Sequence, residues 1–168
     1  MTGQVPIGVE QALNPSVIPL QRVVGAITTA VMSFVALVSL VITLIASPLP
    51  GWTTVPLLAL WAAATAGLAW WSYRWPAIAY RHAAYTVFDD GLEIKLGVWW
   101  RAVINVPRSR VQHIDVSQGP LERQYQLGTL VVYTAGTDHA QVNLHGLTHG
   151  TALAIRDHLL PREGDDAV

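Results

Sequence analysis

The sequence predicts an α+β membrane protein: a two-helix transmembrane hairpin, then a strongly bent antiparallel sheet or partial barrel capped by a C-terminal helix. Three observations carry this. No charged residue lies between Val23 and Tyr73. From Ala83 onward, apolar and polar residues alternate with a period of two. The last apolar stretch, up to Leu160, returns to helical spacing.

The 168 residues suffice for one or two small domains. Charged residues make up 12% and hydrophobic ones 52%. A soluble domain carries about 25% charged residues, so this chain is too apolar to be wholly soluble. The net charge of -1 hides an uncharged first part and a remainder holding nearly all the charge. Without cysteine, disulfides, thiolate metal sites and cysteine nucleophiles are excluded.

Residues 1–22 read as an irregular N-terminal tail, because Pro6, Pro15 and Pro19 interrupt any helix. Residues 23–75 read as the hairpin, with helices over about 23–47 and 53–73. The first run is about 36 Å long as a helix, enough for a hydrocarbon core of about 30 Å. Pro48-Leu49-Pro50-Gly51 forms an uncharged turn. In the second run Ala62-Ala63-Ala64-Thr65-Ala66-Gly67 offers a small-residue face to a neighbouring helix. Trp52 at one end, and Trp70, Trp71, Tyr73 and Trp75 at the other, sit where interfacial aromatics belong. A signal peptide would need a short basic start and a shorter apolar core. Arg22, Arg74 and Arg81 flank the runs while their connection is uncharged, so the positive-inside rule predicts a multi-pass cell-membrane protein with both termini cytoplasmic.

Residues 83–160 read as one small domain. Tyr85-Thr86-Val87-Phe88 is a strand and Asp89-Asp90-Gly91 a hairpin turn. Leu92, Ile94, Leu96 and Val98 alternate up to Trp99-Trp100, then Ala102, Ile104 and Val106 up to Pro107. Ile114 and Val116 face inward on the next strand. Gly119-Pro120 breaks it and opens a short helix with Leu121 and Tyr125 on one face, which Leu127-Gly128 ends. Thr129 to Thr134 is a strand, 135–138 a turn, and Ala140, Val142 and Leu144 alternate again. Thr148 or Thr151 caps a last helix with Ala152, Ile155 and Leu159 on one face, and Pro161 stops it. Residues 161–168 read as a disordered acidic tail.

The run from Pro107 to Arg123, with Arg108, Arg110, Gln112-His113-Ile114-Asp115 and Gly119-Pro120-Leu121-Glu122, is followed by Leu127-Gly128-Thr129-Leu130-Val131-Val132-Tyr133-Thr134-Ala135-Gly136. Together they resemble the signature of the bacterial pleckstrin-homology-like membrane proteins, the bPH2 group, and their short YdbS-like members. The resemblance covers roughly Val23 to Leu160. It implies a seven-stranded, strongly bent sheet capped by a C-terminal helix, held near the inner surface of the plasma membrane. It implies no catalytic residues.

Lys95, Arg101, Arg108, Arg110 and Arg123 are candidate contacts for an anionic headgroup or a partner. On a strand, Arg108 and Arg110 would share a face. The alternative is that Arg108, Arg110 and Arg123 pair with Asp115, Glu122 or backbone carbonyls. Trp100 is a further candidate contact: either one of Trp99 and Trp100 enters the core, or the outward one docks on headgroups or a partner. Eukaryotic pleckstrin-homology domains often bind phosphoinositides with basic residues around the first hairpin, whereas Asp89-Asp90 in this chain's first turn would repel them. Asp138, His139, His145 and His149 match no closed zinc motif. His113, Asp115 and Ser117 alternate along a strand and point side by side, which is not a triad geometry.

The expected function is therefore non-enzymatic, without metal or cofactor. The domain is expected to bind a partner protein, its own copies or a larger membrane relative. The alternative is sensing of anionic lipid headgroups. The expected partners are membrane lipids and membrane proteins, with no nucleic acid.

Overall fold

The computed structural model describes residues 6–46, 50–135 and 141–160. They divide into two units, Gln21–Ala77 and a second unit built from Met1–Leu20 with Ile78–Val168.

The first unit holds the greater part of helices α1 (Val17–Ala46) and α2 (Gly51–Tyr80). Each has 30 residues, and both are long and apolar enough to cross a membrane, with none of their apolar windows buried. Both run past the limits expected from charge and proline. Pro19 lies in the first turn of α1, where the missing N–H would have no helical acceptor. Pro76 lies inside α2 and leaves the Ser72 carbonyl without its usual donor. The next carbonyl, of Tyr73, accepts from Arg22 Nε at 3.2 Å, and the guanidinium lies 3.9 Å from the centre of the Tyr73 ring.

Small and hydroxyl residues close the seam between these helices. A Cβ on Gly25 would come within 3.0 Å of Ser72 Cβ. Thr29 and Ser72 share a hydrogen bond of 3.0 Å, Ser33 and Thr65 one of 2.9 Å, and Trp61 Nε1 donates to the Ser33 carbonyl at 3.2 Å. Gly25, Thr29 and Ser33 are spaced four apart, so they line one face of α1. Of the small-residue face read on α2, only Thr65 enters this seam; Ala62, Ala63, Ala64, Ala66 and Gly67 are exposed.

The second unit has two antiparallel sheets. One orders β1 (Glu10–Ala12), β2 (Ala84–Phe88), β3 (Gly91–Leu96) and β4 (Ala102–Pro107); the other orders β5 (Val111–Ser117), β6 (Leu127–Thr134) and β7 (Gln141–Thr148). The short helix α3 (Pro120–Gln124) joins β5 to β6, and α4 (His149–Leu159) follows β7.

Residues 10–12 correct the reading of an irregular tail. They pair with β2, Ala12 opposite Ala84. Leu13 and Val17 are buried, and Tyr80 donates its hydroxyl to the Leu13 carbonyl at 3.0 Å. A three-residue strand is too short to show periodicity, and its partner arrives some seventy residues later. α1 and α2 are thus an insertion between two neighbouring strands, and the seventh strand comes from ahead of them.

One core serves both sheets. Ile94, Leu130, Leu144, Ile155 and Leu159 are buried to within 1%. Ala152, Ile155 and Leu159 present the apolar face of α4, as their spacing predicts. Thr148 caps that helix, its hydroxyl accepting from the Thr151 N–H at 3.1 Å. Gly128 differs from expectation. The left-handed residue after α3 is Gln126, at φ 55°. Gly128 lies inside β6, where a Cβ would meet His149 Cα at 3.4 Å.

Candidate functional site

The register of the four-stranded sheet separates its two ends. Ala12 pairs with Ala84, Ala84 with Lys95, and Leu96 with Ala102. The end of β1, the start of β2 and the β3–β4 turn therefore share one end. At the other, Gly91 pairs with both Phe88 and Pro107.

The first end is open. The strand stops at Leu96, not at Val98, because Gly97 takes φ 107° and its missing Cβ makes room for the Trp100 carbonyl. Strand alternation therefore no longer applies to Trp99 and Trp100, and neither enters the core: they are 79% and 91% exposed. Arg101 follows, also exposed. Lys95 lies nearby, donating to Glu10 and paired with Glu93 at 3.4 Å. The hydrogen bond to Glu10 and the attraction of both carboxylates push the Lys95 ammonium above its usual value.

The second end is latched. Arg108 N–H donates to the Asp90 carbonyl at 2.7 Å, and its guanidinium donates to the Leu160 carbonyl at 3.0 Å. A cation on the last carbonyls of a helix also meets the negative end of its dipole. His158 Nε2 lies 3.1 Å from the Phe88 carbonyl. The turn Asp89-Asp90 here is the second connection of the sheet; the first, between β1 and β2, contains α1 and α2.

The five basic candidates do not form one cluster. Arg101 and Arg108 stand at opposite ends of β4, about 20 Å apart along a six-residue strand. Arg108 and Arg110 share no strand face, since Arg108–Arg110 is a single 3-10 turn after Pro107. Arg110 and Arg123 are exposed, at opposite ends of the three-stranded sheet. A cleft of about 370 Å³ lies beside Arg110, between β4, Thr134-Ala135 and Val142.

Other polar groups are used locally. Asp115 holds His113 Nε2 at 2.6 Å, and that ring packs on Tyr133. Glu122 accepts from Gly119 N–H at 2.7 Å and from the Thr129 hydroxyl at 2.8 Å. Thr129 has one proton to give, so it accepts from His145 Nδ1, 2.9 Å away. Sequence reasoning did not find this Glu122–Thr129–His145 chain, because its members sit on three separate elements. No group of metal-ligating side chains occurs among the described residues; Asp138 and His139 lie outside them. Burial pushes the Tyr85 phenol above its ordinary value, and its hydroxyl donates to Gln11 at 3.0 Å.

The UPF0699 transmembrane protein YdbS of Bacillus subtilis (strain 168) is 35% identical to this chain over 95 residues, covering 55% of this chain and 58% of that protein. No solved structure matches. The family model of the bacterial PH domain matches residues 22–163, nearly the whole described fold apart from β1, and the chain belongs to that family as a membrane protein with transmembrane helices and a PH-like unit.

Proposed function

We propose that this protein is a non-enzymatic, membrane-anchored interaction module. Its spans assemble with those of another membrane protein, either a second copy or a larger relative, and its PH-like unit stands on the cytoplasmic side. The observation that carries this is on α2. Ala59, Ala63 and Gly67 lie four apart and exposed, outside the seam with α1, and a Cβ on Gly67 would meet nothing within 4 Å. Small residues at this spacing let a second helix approach closely in lipid, where van der Waals contact drives association. The orientation is supported by Arg22, Arg74 and Arg81 beside an uncharged connection at the other end.

Cross-linking and co-purification of the full chain from native membranes test it. Gly67→Ile and Ala63→Leu should abolish the cross-linked species while leaving membrane insertion unchanged. A wild-type chain that purifies as a monomer without a partner overturns the reading.

Anionic-headgroup sensing is a second reading, favoured by Arg101, Arg110 and Arg123, which are exposed and have no side-chain partner among the described residues. Vesicle-embedded chain whose conformation responds to anionic lipid, with the response lost in Arg→Ala variants, would support it. A response indifferent to salt and lipid charge would rule it out.

A further inference from the structure

We propose that the β3–β4 turn enters the headgroup layer of the membrane that the chain spans. Trp99, Trp100 and Arg101 would then give the PH-like unit a direct hold on the bilayer besides its covalent links. The proposal concerns a different surface from the α2 stripe and rests on the helices being membrane-spanning.

Chemistry is the first argument. Two adjacent tryptophans, 79% and 91% exposed, project from a turn fixed by Gly97. Tryptophan joins a large apolar body to one N–H donor, which suits the boundary between hydrocarbon and water better than either phase. Arg101 beside them supplies a forked donor for phosphate oxygens.

Topology is the second. The turn lies at the end of the sheet where the chain leaves β1 for α1 and returns from α2 into β2. Residues 13–16 alone join β1 to α1, and residues 81–83 alone join α2 to β2. From Val17 to Val23, where the charge-free run begins, α1 rises only about 9 Å. The covalent path from the charge-free run to this end of the sheet is therefore short.

Charge is the third. Arg81 and Arg101 are exposed at this end, beside Lys95 with its partners Glu10 and Glu93; at the other end Asp89 and Asp90 are exposed and stand near Arg108 and Arg110. The tryptophan end carries the more positive balance, so an anionic surface favours it over the opposite one.

The chain lacks cysteine, so single-cysteine variants of the full protein can each carry one fluorophore. Trp100→Cys, Asp89→Cys and Phe34→Cys would be labelled and reconstituted in phosphatidylcholine–phosphatidylglycerol vesicles. Lipids in both leaflets would carry a quenching nitroxide, either at the headgroup or deep in the chain. The expected result is loss of emission at position 100 with the headgroup quencher, retained emission at position 89, and loss at position 34 with the deep quencher. If position 100 stays as bright as position 89, the proposal is overturned, whether the turn stands in water or against another protein. Equal quenching at 100 and 89 also overturns it, since no end of the sheet is then preferred. If position 34 escapes the deep quencher, the spanning reading fails and takes the proposal with it; if only position 100 escapes quenching, the spans stand and the proposal alone falls.

Discussion

The PH-like unit and the helical hairpin use the same residue types in opposite ways. In the PH-like unit the large aliphatic side chains point in: Ile94, Leu130, Leu144, Ile155 and Leu159 fill the core. Removing each from water stabilises the fold by about 1.5–3 kcal/mol. In the hairpin large apolar side chains point out, with Phe34, Ile45 and Leu60 each at least 66% exposed. What points in is small or hydroxyl-bearing: Gly25, Thr29, Ser33, Thr65 and Ser72. Lipid is as apolar as leucine, so burying leucine between spans gains little there, while close backbones and hydrogen bonds gain something. Water drives one unit together, and shape with polar pairing holds the other.

The largest test of this contrast is Ile155→Ala. It removes a fully buried side chain on α4 and should destabilise the PH-like unit by about 2–5 kcal/mol in denaturant titration of the reconstituted chain. Phe34→Ala on the outer face of α1 should leave the hairpin's resistance to unfolding in detergent nearly unchanged. Similar losses at both sites would break the comparison.

A smaller effect sharpens it from the hairpin side. Thr29 and Ser72 meet across the seam at 3.0 Å. A double-mutant cycle of Thr29→Val and Ser72→Ala should give a coupling of about 0.6 kcal/mol, as interhelical hydrogen bonds in membranes do. A cycle with no coupling would leave the close approach at Gly25 as the sole basis of the seam.

These two regions also differ in how much of them the sequence reveals. α4 was legible to the residue on its buried face, because an amphipathic period of 3.6 has one physical meaning in water. The existence of both spans was legible from the absence of charge. The seam was not. Hydroxyl residues spread through an apolar run have no visible period, and the conspicuous run of alanines at 62–64 faces outward. β1 was hidden for another reason: three residues take their strand character from a partner across a long insertion. Among the candidate contacts, Trp100 and Arg101 were legible as residue types. Their shared exposure depends on Gly97 ending β3 early, and alternation alone pointed the other way. A backbone carbonyl was among the partners expected for Arg108, but which one, that of Leu160 at the end of α4, depended on an element some fifty residues away.

The smallest effect concerns Lys95, whose ion pairs tie β3 to the edge strand β1. The lysine and Glu10 side chains are 43% and 56% exposed, so bulk solvent screens the pair. The hydrogen bond to Glu10 is the main cause of the raised value of Lys95 in the folded state, which exceeds that in the unfolded chain. Its stabilisation is therefore fully present below the ordinary lysine range and is lost as pH rises through the folded-state value. Lys95→Met should lower the unfolding midpoint slightly at neutral pH, and the difference from wild type should disappear in strong alkali. A difference that grew with pH would contradict the assignment. Salt separates this contact from the Thr29–Ser72 pair. At about 1 M ionic strength, screening acts over about 3 Å, so the Lys95 effect should fade. The hydroxyl coupling within the hairpin involves no net charge and should survive unchanged. A Lys95 effect as indifferent to salt as the hydroxyl coupling would mean that it does not rest on ion pairing.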